Sequence, residues 1–339
     1  MVRLQEIARL AGVSEATVSR VINDRPGVNQ QTRDLVNNVV SQLGYEPRGL
    51  VQRGRAGLVG LVMPELTNPI FPAFAQNLGA SLANQGYTAV LCVATDEATR
   101  EEEHFDSLLS RGVDGIIVVS GRHADDQADH QLYFSAAAKG VPLVLINGYT
   151  PDLPARFVSC DDRYAAELAV RHLASLGHTR IGCLVGPSRY VPVRNRMEEF
   201  SNVIASLGLS GEIVEAGFSV EGGHRGARKL LKAGVTGIVA ASDLLALGAV
   251  RATRDAHLRV PEDVSVIGFD DTPLMAFTDP PLTTVRQPVS AICKAAVHAL
   301  FRSESTDGQE EDLVFRPELV VRGSTGSAPS KRSNARSAR

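Results

Sequence analysis

Short, continuous aliphatic runs recur between residues 58 and 269, and they constrain the fold of this 339-residue chain more than any other feature. The first four runs are Leu58–Met63, Thr88–Val93, Gly115–Val119 and Pro142–Ile146. The pattern restarts after residue 160 with Ile181–Val185, Gly237–Ala241 and Val264–Phe269. Runs without polar alternation are typical of parallel strands that other elements cover on both faces.

Amphipathic stretches separate these runs, and they predict helices between the strands. The predicted helices cover residues 73–85, 101–110, 163–176, 194–207, 223–233 and 244–256. Two successive series of alternating strands and helices predict an α/β body with two lobes, each built on a parallel Rossmann-like sheet. The polar loops that follow the strands are then expected to face a crevice between the lobes.

The first 47 residues follow a different pattern, which predicts an all-α head of three short helices. The apolar face of the first helix consists of Leu4, Ile7, Ala8 and Ala11. Gly12 supplies a tight turn, and Ser14 is placed to cap the second helix. A third helix over residues 32–43 is expected to close a small apolar core.

The second helix buries Val18, Val21 and Ile22 and presents a polar face on its other side. A short helix, a glycine turn and a polar-faced second helix are typical of a helix-turn-helix head that reads the major groove. The predicted DNA-binding residues of the head are Ser14, Glu15, Ala16, Thr17, Ser19, Arg20, Asn23, Asn29 and Thr32. The alternative is a plain three-helix bundle, which does not explain why the turn and the polar face coincide.

This head closely resembles the DNA-binding domain of the LacI/GalR family of bacterial repressors. The segments that carry the resemblance are Ile7–Ser14, Thr17–Asn23, Thr32–Arg33 and Leu43–Pro47. The similarity continues almost to residue 325, and it implies a body like a periplasmic binding protein, with three crossings between the lobes. By this resemblance, lobe one comprises residues 58–159 and 289–312, and lobe two comprises residues 160–288 and 313–325.

Arginine and glycine dominate residues 48–57, which predicts a flexible basic hinge able to lie along DNA. In the family, this segment forms a short minor-groove helix with a leucine that wedges a central base step. Gly54 stands at the leucine's position here, and Leu50 lies one turn too early, so the usual wedge is in question. The hinge residues expected to contact DNA are Arg48, Leu50, Arg53 and Arg55, and a disordered linker is the alternative.

Candidate effector-binding residues lie just after the strands, at the expected crevice. Asp270 directly follows a buried strand, where its carboxylate can accept two sugar hydroxyls. The resemblance adds Arg196 at the family's effector-contacting position, Ser242 in place of the usual asparagine, and Phe71 in the first pocket loop. An ordinary core aromatic is the alternative for Phe71, and Asp243 is expected to cap the following helix.

Residue patterns for catalysis or metal binding are weak in this chain. It contains neither a P-loop nor a Gly-x-Ser-x-Gly nucleophile elbow. His172 and His178 are expected near a helix C-terminus, where histidine suits the dipole. His123 and His130 lie near three aspartates in what we interpret as a polar loop, with a metal cluster as the alternative. No catalytic residue, metal ion or cofactor is expected, and the chain is not expected to be an enzyme.

The overall formal charge of −3 conceals a division along the chain. Residues 1–57 carry a net charge of +3, residues 326–339 carry +4, and the middle carries −10. A basic head on an acidic body suits a DNA-binding domain joined to a body that does not bind DNA.

The four cysteines are scattered along the sequence, which favours reduced thiols over disulfides or a zinc site. The sequence shows neither a leader nor a long apolar run, which predicts a cytoplasmic protein that is not bound to membrane.

Several segments resemble more narrowly the maltose and malto-oligosaccharide regulators of actinomycetes. These segments are Leu58–Leu66, Asn68–Ala75, Ser219–His224 and Phe315–Thr325. This resemblance implies an α-glucoside effector. Residues 326–339 predict a basic disordered tail without a leucine repeat, so a homodimer on a palindromic operator is expected.

The sequence therefore predicts a dimeric transcriptional repressor of double-stranded operator DNA, relieved by a sugar bound between the lobes. One alternative is an intracellular sugar receptor without a DNA function. Another is a regulator that uses a corepressor instead of an inducer. An enzyme acting on sugar is disfavoured, because no acid/base pair stands at a credible site.

Overall fold

The computed structural model describes residues 4–22, 27–42, 57–94, 98–302 and 312–329, which fall into two compact units that divide at Gly57 and Leu58. The first unit contains three helices, α1 (Leu4–Ala11), α2 (Glu15–Ile22) and α3 (Gln30–Gln42). Ile7, Val18 and Val36 are fully buried at their centre, because the apolar faces of the three helices converge there. The helix α3 begins two residues before the predicted start.

The second unit is built from twelve strands and eight helices among its described residues. The strands are β1 (Gly57–Met63), β2 (Tyr87–Val93), β3 (Gly115–Val119), β4 (Leu143–Ile146), β5 (Arg156–Cys160), β6 (Arg180–Val185), β7 (Ser210–Glu215), β8 (Gly237–Ala240), β9 (Ser265–Asp270), β10 (Thr283–Arg286), β11 (Leu313–Phe315) and β12 (Glu318–Val320). The helices are α4 (Ile70–Ala83), α5 (Ala98–Ser110), α6 (Gln131–Ala138), α7 (Asp162–Ser175), α8 (Val191–Ser206), α9 (Val220–Lys232), α10 (Asp243–Asp255) and α11 (Val289–Phe301).

The strands form two six-stranded sheets, which confirms the predicted two-lobed α/β body. The first sheet has the order β11-β5-β4-β3-β1-β2, and the second has the order β12-β10-β9-β8-β6-β7. In the second sheet, β12 is antiparallel to β10 and the other pairs are parallel. The central strands β3 and β4 are buried along their whole length, as their continuous aliphatic sequences predict.

The chain crosses between the lobes three times. It leaves the first sheet after β5, returns to the first lobe after β10 through α11, which packs on α4, and crosses again between β11 and β12. The predicted boundary between residues 312 and 313 is wrong, because Leu313 pairs with Val158 of β5 in the first sheet. The last crossing is therefore at Arg316 and Pro317.

Residues 326–329 are hydrogen-bonded to lobe two, so the predicted disordered tail does not begin at residue 326. The Gly326 amide donates to Oγ of Ser265 (3.0 Å), and the Ala328 amide donates to the carbonyl of Leu176 (2.8 Å). Nε2 of the buried His178 lies 3.1 Å from the Gly326 carbonyl. A chain with these backbone partners continues the folded lobe, and residues 330–339 lie outside the described part of the structure.

Within the described segments, no helix has the length and apolar character needed to cross a lipid bilayer.

Candidate functional site

The three-helix unit presents the predicted polar face on α2. Gly12 has a φ of +64°, which glycine adopts without strain, and it allows the tight turn between α1 and α2. Oγ of Ser14 accepts from the Thr17 amide (3.1 Å) and so caps α2. Glu15, Ala16 and Arg20 are exposed on the same helix. These three side chains are therefore available to a duplex.

The other predicted DNA-binding residues are less accessible or lie outside the described residues. Thr17, Ser19 and Thr32 are half-buried. Oδ1 of the exposed Asn29 accepts from the Thr32 amide (2.8 Å), which explains why α3 starts earlier than predicted. The predicted contacts outside the described residues are Asn23, Arg48, Leu50, Arg53 and Arg55, and Gly54 lies there as well.

The principal cavity lies between the two lobes, and it has a volume of about 570 Å³. This volume lies within the usual range for small-molecule sites. Both lobes line the cavity, at the carboxyl ends of β1 and β3 in the first sheet and of β6, β8 and β9 in the second. All four predicted effector-binding residues are in its wall, namely Phe71, Arg196, Ser242 and Asp270.

Arg196, in the second turn of α8, is held in place on three sides. Its Nε donates to Oδ1 of Asp162 (2.8 Å), and Nη1 donates to the carbonyl of Ala241 (2.8 Å). Its guanidinium lies over the ring of Phe269, with Cζ 3.6 Å from the ring centroid. Because a guanidinium has five N–H donors, some remain for a ligand after these contacts are made.

Asp270, the last residue of β9, places a buried carboxyl group in the cavity wall. Its φ is +116°, a strained value for a residue other than glycine, and strain of this kind is concentrated at ligand sites. Oδ1 accepts from Nε2 of Gln287 (2.7 Å). Burial raises the pKa of Asp270 well above its usual range, and Asp243 raises it further, while Gln287, Arg196 and Asn68 oppose the rise.

The prediction that Asp243 caps α10 is wrong, because Ser242 is the N-cap. Oγ of Ser242 accepts from the Leu245 amide (3.2 Å), and its hydroxyl hydrogen is still able to donate to a ligand. Asp243 is buried and accepts from the amide and hydroxyl of Thr272 (2.8 and 3.0 Å) and from the hydroxyl of Thr284 (2.8 Å). It therefore links the loop that follows β9 to the start of β10.

Aromatic side chains add flat apolar surface to the same cavity. Phe71 reaches it from the first turn of α4, while Tyr190 and Phe218 reach it from loops of lobe two. The ring of Phe218 lies against Gly186, where any Cβ would overlap it. Rings of this kind stack on the apolar faces of sugars and other flat ligands.

A second group of buried polar side chains forms the lobe-one side of the cavity. Glu101 lines the cavity, and its carboxylate accepts from the Tyr133 hydroxyl (2.6 Å) and from the Arg122 amide (3.0 Å). Burial raises the pKa of Glu101. The buried His123 donates from Nε2 to the Ile146 carbonyl (3.1 Å), so the histidines near the aspartates belong to this folded loop.

Sequence patterns did not identify several residues of this wall. Asn68, Glu101, Asp162 and Gln287 line the cavity but were not predicted to bind a ligand. Asp162 and Gln287 stand next to the crossings between the lobes, and Asn68 follows β1. For Asn68, Asp162 and Gln287 the position shortly after a strand was the available signal, since ligands bind at the carboxyl ends of parallel strands, whereas Glu101 lies within α5 and gave no such signal.

The wall combines three guanidinium groups, several carboxyl and amide groups, and four aromatic rings. Planar polar groups of this kind match the hydroxyl pairs of a carbohydrate, and the rings match its apolar faces. Among the described residues, no group of three or more histidine, cysteine or acidic side chains is arranged to hold a metal ion. The arrangement is suited to binding a polyol through hydrogen bonds.

Comparisons with known proteins place this geometry in context. Residues 3–48 match the family described as "Bacterial regulatory proteins, lacI family", and residues 170–325 match the "Periplasmic binding protein-like domain". The HTH-type transcriptional regulator MalR of Streptomyces coelicolor is 52% identical over 338 residues, which is 97% of this chain and 98% of the relative.

Two solved structures are similar over nearly the whole chain. The complex of the transcriptional regulator CelR with cellobiose has a TM-score of 0.70 and 29% identity, and the match covers 96% of this chain and 100% of that one. The lac repressor dimer bound to operator and the anti-inducer ONPF has a TM-score of 0.70 and 26% identity, and the match covers 96% of this chain and 99% of that one.

Proposed function

Because this chain belongs to the LacI family of bacterial transcriptional regulators, we propose that it is a repressor that releases its operator when a sugar binds between the lobes. The observation that carries the proposal is the cavity wall itself. Arg196 and Asp270 of lobe two face the same cavity as Phe71 of lobe one. A ligand that touches all three contacts both lobes at once.

Contact with both lobes gives the sugar its influence on DNA. A ligand shifts an equilibrium only if it binds one conformation better than another. When a sugar bridges the lobes, its binding free energy depends on how far they are closed. In our proposal the DNA affinity of the head also depends on lobe closure, so sugar binding and DNA binding are coupled. Sugar and operator then weaken each other's binding by the same factor.

The sugar we propose first is an α-1,4-glucoside, maltose or a short homologue. The relative with 52% identity carries the name MalR, and the structural neighbour CelR was solved with a disaccharide, cellobiose. A cavity of about 570 Å³ with polar and aromatic side chains from both lobes in its wall suits a ligand of this size.

The proposed partners are a palindromic operator and a second copy of the chain. Regulators of this family bind operator DNA as dimers, as in the lac repressor dimer bound to operator. We assign Glu15 and Arg20 to the DNA contact and no catalytic step to the body. A regulator that reads operator DNA acts in the cytoplasm, which is the location we propose.

Titration calorimetry with maltose and maltotriose tests the effector site, and operator gel shifts at matched sugar concentrations test the regulation. Asp270→Asn should lower sugar affinity about 5- to 100-fold, since an amide offers one acceptor oxygen where the carboxyl group offers two, and a polar group left unpaired in the site costs about 1–3 kcal/mol. Its operator affinity without sugar should equal that of wild type.

Each alternative predicts a different result in the same assays. If sugar strengthens operator binding, the protein uses a corepressor. If the protein binds sugar but no specific DNA, it is a receptor without a DNA function, and sugar turnover would indicate an enzyme. If Asp270→Asn binds sugar as wild type does, the assignment of the site is wrong.

A further inference from the structure

The two lobes also touch on the side of the cavity formed by Asp125 and Arg189. Nε of Arg189 lies 3.1 Å from Oδ2 of Asp125, and Arg194 forms an ion pair with Asp126. The Asp126 amide donates to the Arg189 carbonyl (3.1 Å), and Asp125 and Tyr190 form an antiparallel bridge. We call Asp125, Asp126, Arg189 and Arg194 the latch.

The latch lies away from the crossings that connect the lobes. The crossings leave the sheets at β5 and β11 in lobe one and at β10 and β12 in lobe two. The latch residues follow β3 and β6 instead, and β6 is three strands from β10, or about 14 Å at the usual strand spacing.

The cavity extends from the crossings to the latch. Gln287 lines it beside the crossing that follows β10, and Asp125, Arg189 and Tyr190 line it at the latch. The latch therefore bridges the lobes on the side of the cavity that the chain crossings leave open. A ligand that projects beyond the cavity at this end meets the pair of Asp125 and Arg189.

We propose that the latch sets the length of sugar that the cavity accepts. A sugar contained within the cavity binds with both ion pairs and the backbone bridge intact. A longer sugar extends past Asp125 and Arg189 and separates them. This inference rests on the proposed function, because it takes the effector to be a chain of sugar units.

The expected effect is moderate, because the latch side chains are partly exposed. Arg194 and Asp126 are 39% and 41% exposed, and ion pairs between accessible groups contribute little individually. The backbone bridge and the second ion pair act at the same place, so a sugar that opens the latch loses them together. We expect a discrimination of about three- to tenfold against long sugars.

The pair of Asp126 and Arg194 allows a test that leaves the cavity wall intact, because neither residue lines it. The variants are Asp126→Arg, Arg194→Asp and the double exchange of both charges. Arg163 and Glu198 offer a matched control, since their ion pair (2.5 Å) is 47% and 50% exposed but lies within lobe two. The control variant is Arg163→Glu.

Calorimetry of the full chain with maltose, maltotriose and maltohexaose provides the measurement. Wild type should bind maltohexaose more weakly than the shorter sugars. Each single charge reversal removes one of the latch contacts and should raise the maltohexaose affinity relative to maltose about two- to fivefold. The double exchange should restore the wild-type ratio, and Arg163→Glu should leave it unchanged. A general loss of stability would lower all affinities together without changing their ratio.

Three results would overturn the length limit. One is an affinity that rises from maltose to maltohexaose in wild type, and another is a ratio that the single reversals leave unchanged. The third is a double exchange that fails to restore the ratio. If wild type binds none of these sugars, the proposed α-glucoside function fails along with the limit, whereas the other results leave that function standing.

Discussion

Arg196 and Asp162 form an ion pair in the cavity wall, with the arginine Nε 2.8 Å from the aspartate Oδ1. Both side chains are largely buried, with exposures of 14% and 9%. Burial raises the pKa of Asp162, and the charge and hydrogen bonds of Arg196 oppose that rise. Arg196 therefore has two roles, since it faces the cavity and also compensates a buried acid at the start of α7.

Removal of the Arg196 charge should destabilise the body. Arg196→Leu should cost about 3 kcal/mol of unfolding free energy at neutral pH, because it leaves Asp162 buried without its partner. Adding Asp162→Asn should recover most of that loss. Urea denaturation measures both effects, and Arg163→Leu is the control, because its partner Glu198 is half-exposed and the expected loss is below about 1 kcal/mol. Equal losses from Arg196→Leu and Arg163→Leu would contradict the prediction.

Ser242 should contribute to stability through its cap of α10. Ser242→Ala should lower the free energy of unfolding by about 1 kcal/mol, since the Leu245 amide loses its acceptor. Ser242→Asn should retain the cap and the stability, because asparagine is an equally good N-cap residue. Thermal and urea unfolding of both variants check this. If both variants lose the same stability, the side-chain volume at residue 242 matters and the cap does not.

Glu15 should contribute to the choice of operator bases. It is exposed on α2, and its carboxylate can accept from the N4 amino group of cytosine. Glu15→Ala should relax base preference at one position in each half-site, as measured by selection from randomised duplexes. Arg20→Ala should abolish specific binding, because it removes a donor to guanine or phosphate. An unchanged selected sequence for Glu15→Ala would refute its role in reading bases.

His123 should make the body less stable in mild acid. Burial lowers the pKa of His123 to about 3, whereas an unfolded histidine has a pKa of about 6.5. Below pH 6.5 the unfolded chain therefore binds a proton that the folded chain does not, and stability falls as pH falls. Between pH 7.5 and pH 5.0 this histidine should cost about 2 kcal/mol.

The matched variant for that measurement is His123→Gln, which keeps a side-chain N–H for the Ile146 carbonyl. Urea unfolding of both proteins at pH 7.5 and pH 5.0 removes the contribution of the other titrating groups by difference. If the two proteins lose the same stability between these pH values, His123 is not the group responsible.

The strand–helix order and the central strands were predictable, because buried parallel strands have continuous aliphatic sequences. Strands with mixed sequences were not predicted. β7 (Ser210–Glu215) is a sheet edge with mostly exposed residues, and β5 (Arg156–Cys160) begins with an arginine.

Helix starts were predicted late, because the first turn of a helix need not follow the apolar periodicity of the rest. α9 begins at Val220 after the Ser219 cap, but its first turn contains Gly222, which the apolar periodicity does not detect.

The candidate site was predictable where a residue follows a strand directly, as Asp270 does. It was not predictable where folding brings distant residues together. Glu101 in α5 meets Tyr133 in α6, and Asp162 meets Arg196 across two helices. The role of Asp243 was missed because its partners, Thr272 and Thr284, come from segments about 30 and 40 residues further along the chain.

The hydrogen bonds of residues 326–329 determine where this chain can be shortened. A fragment that ends at Thr325 lacks the Gly326 amide that donates to Ser265 and the Gly326 carbonyl beside His178. It also lacks the Ala328 amide, which satisfies the carbonyl of Leu176 after α7. A fragment meant for crystallisation or for a C-terminal fusion should therefore extend through Pro329, four residues beyond the end of the family match.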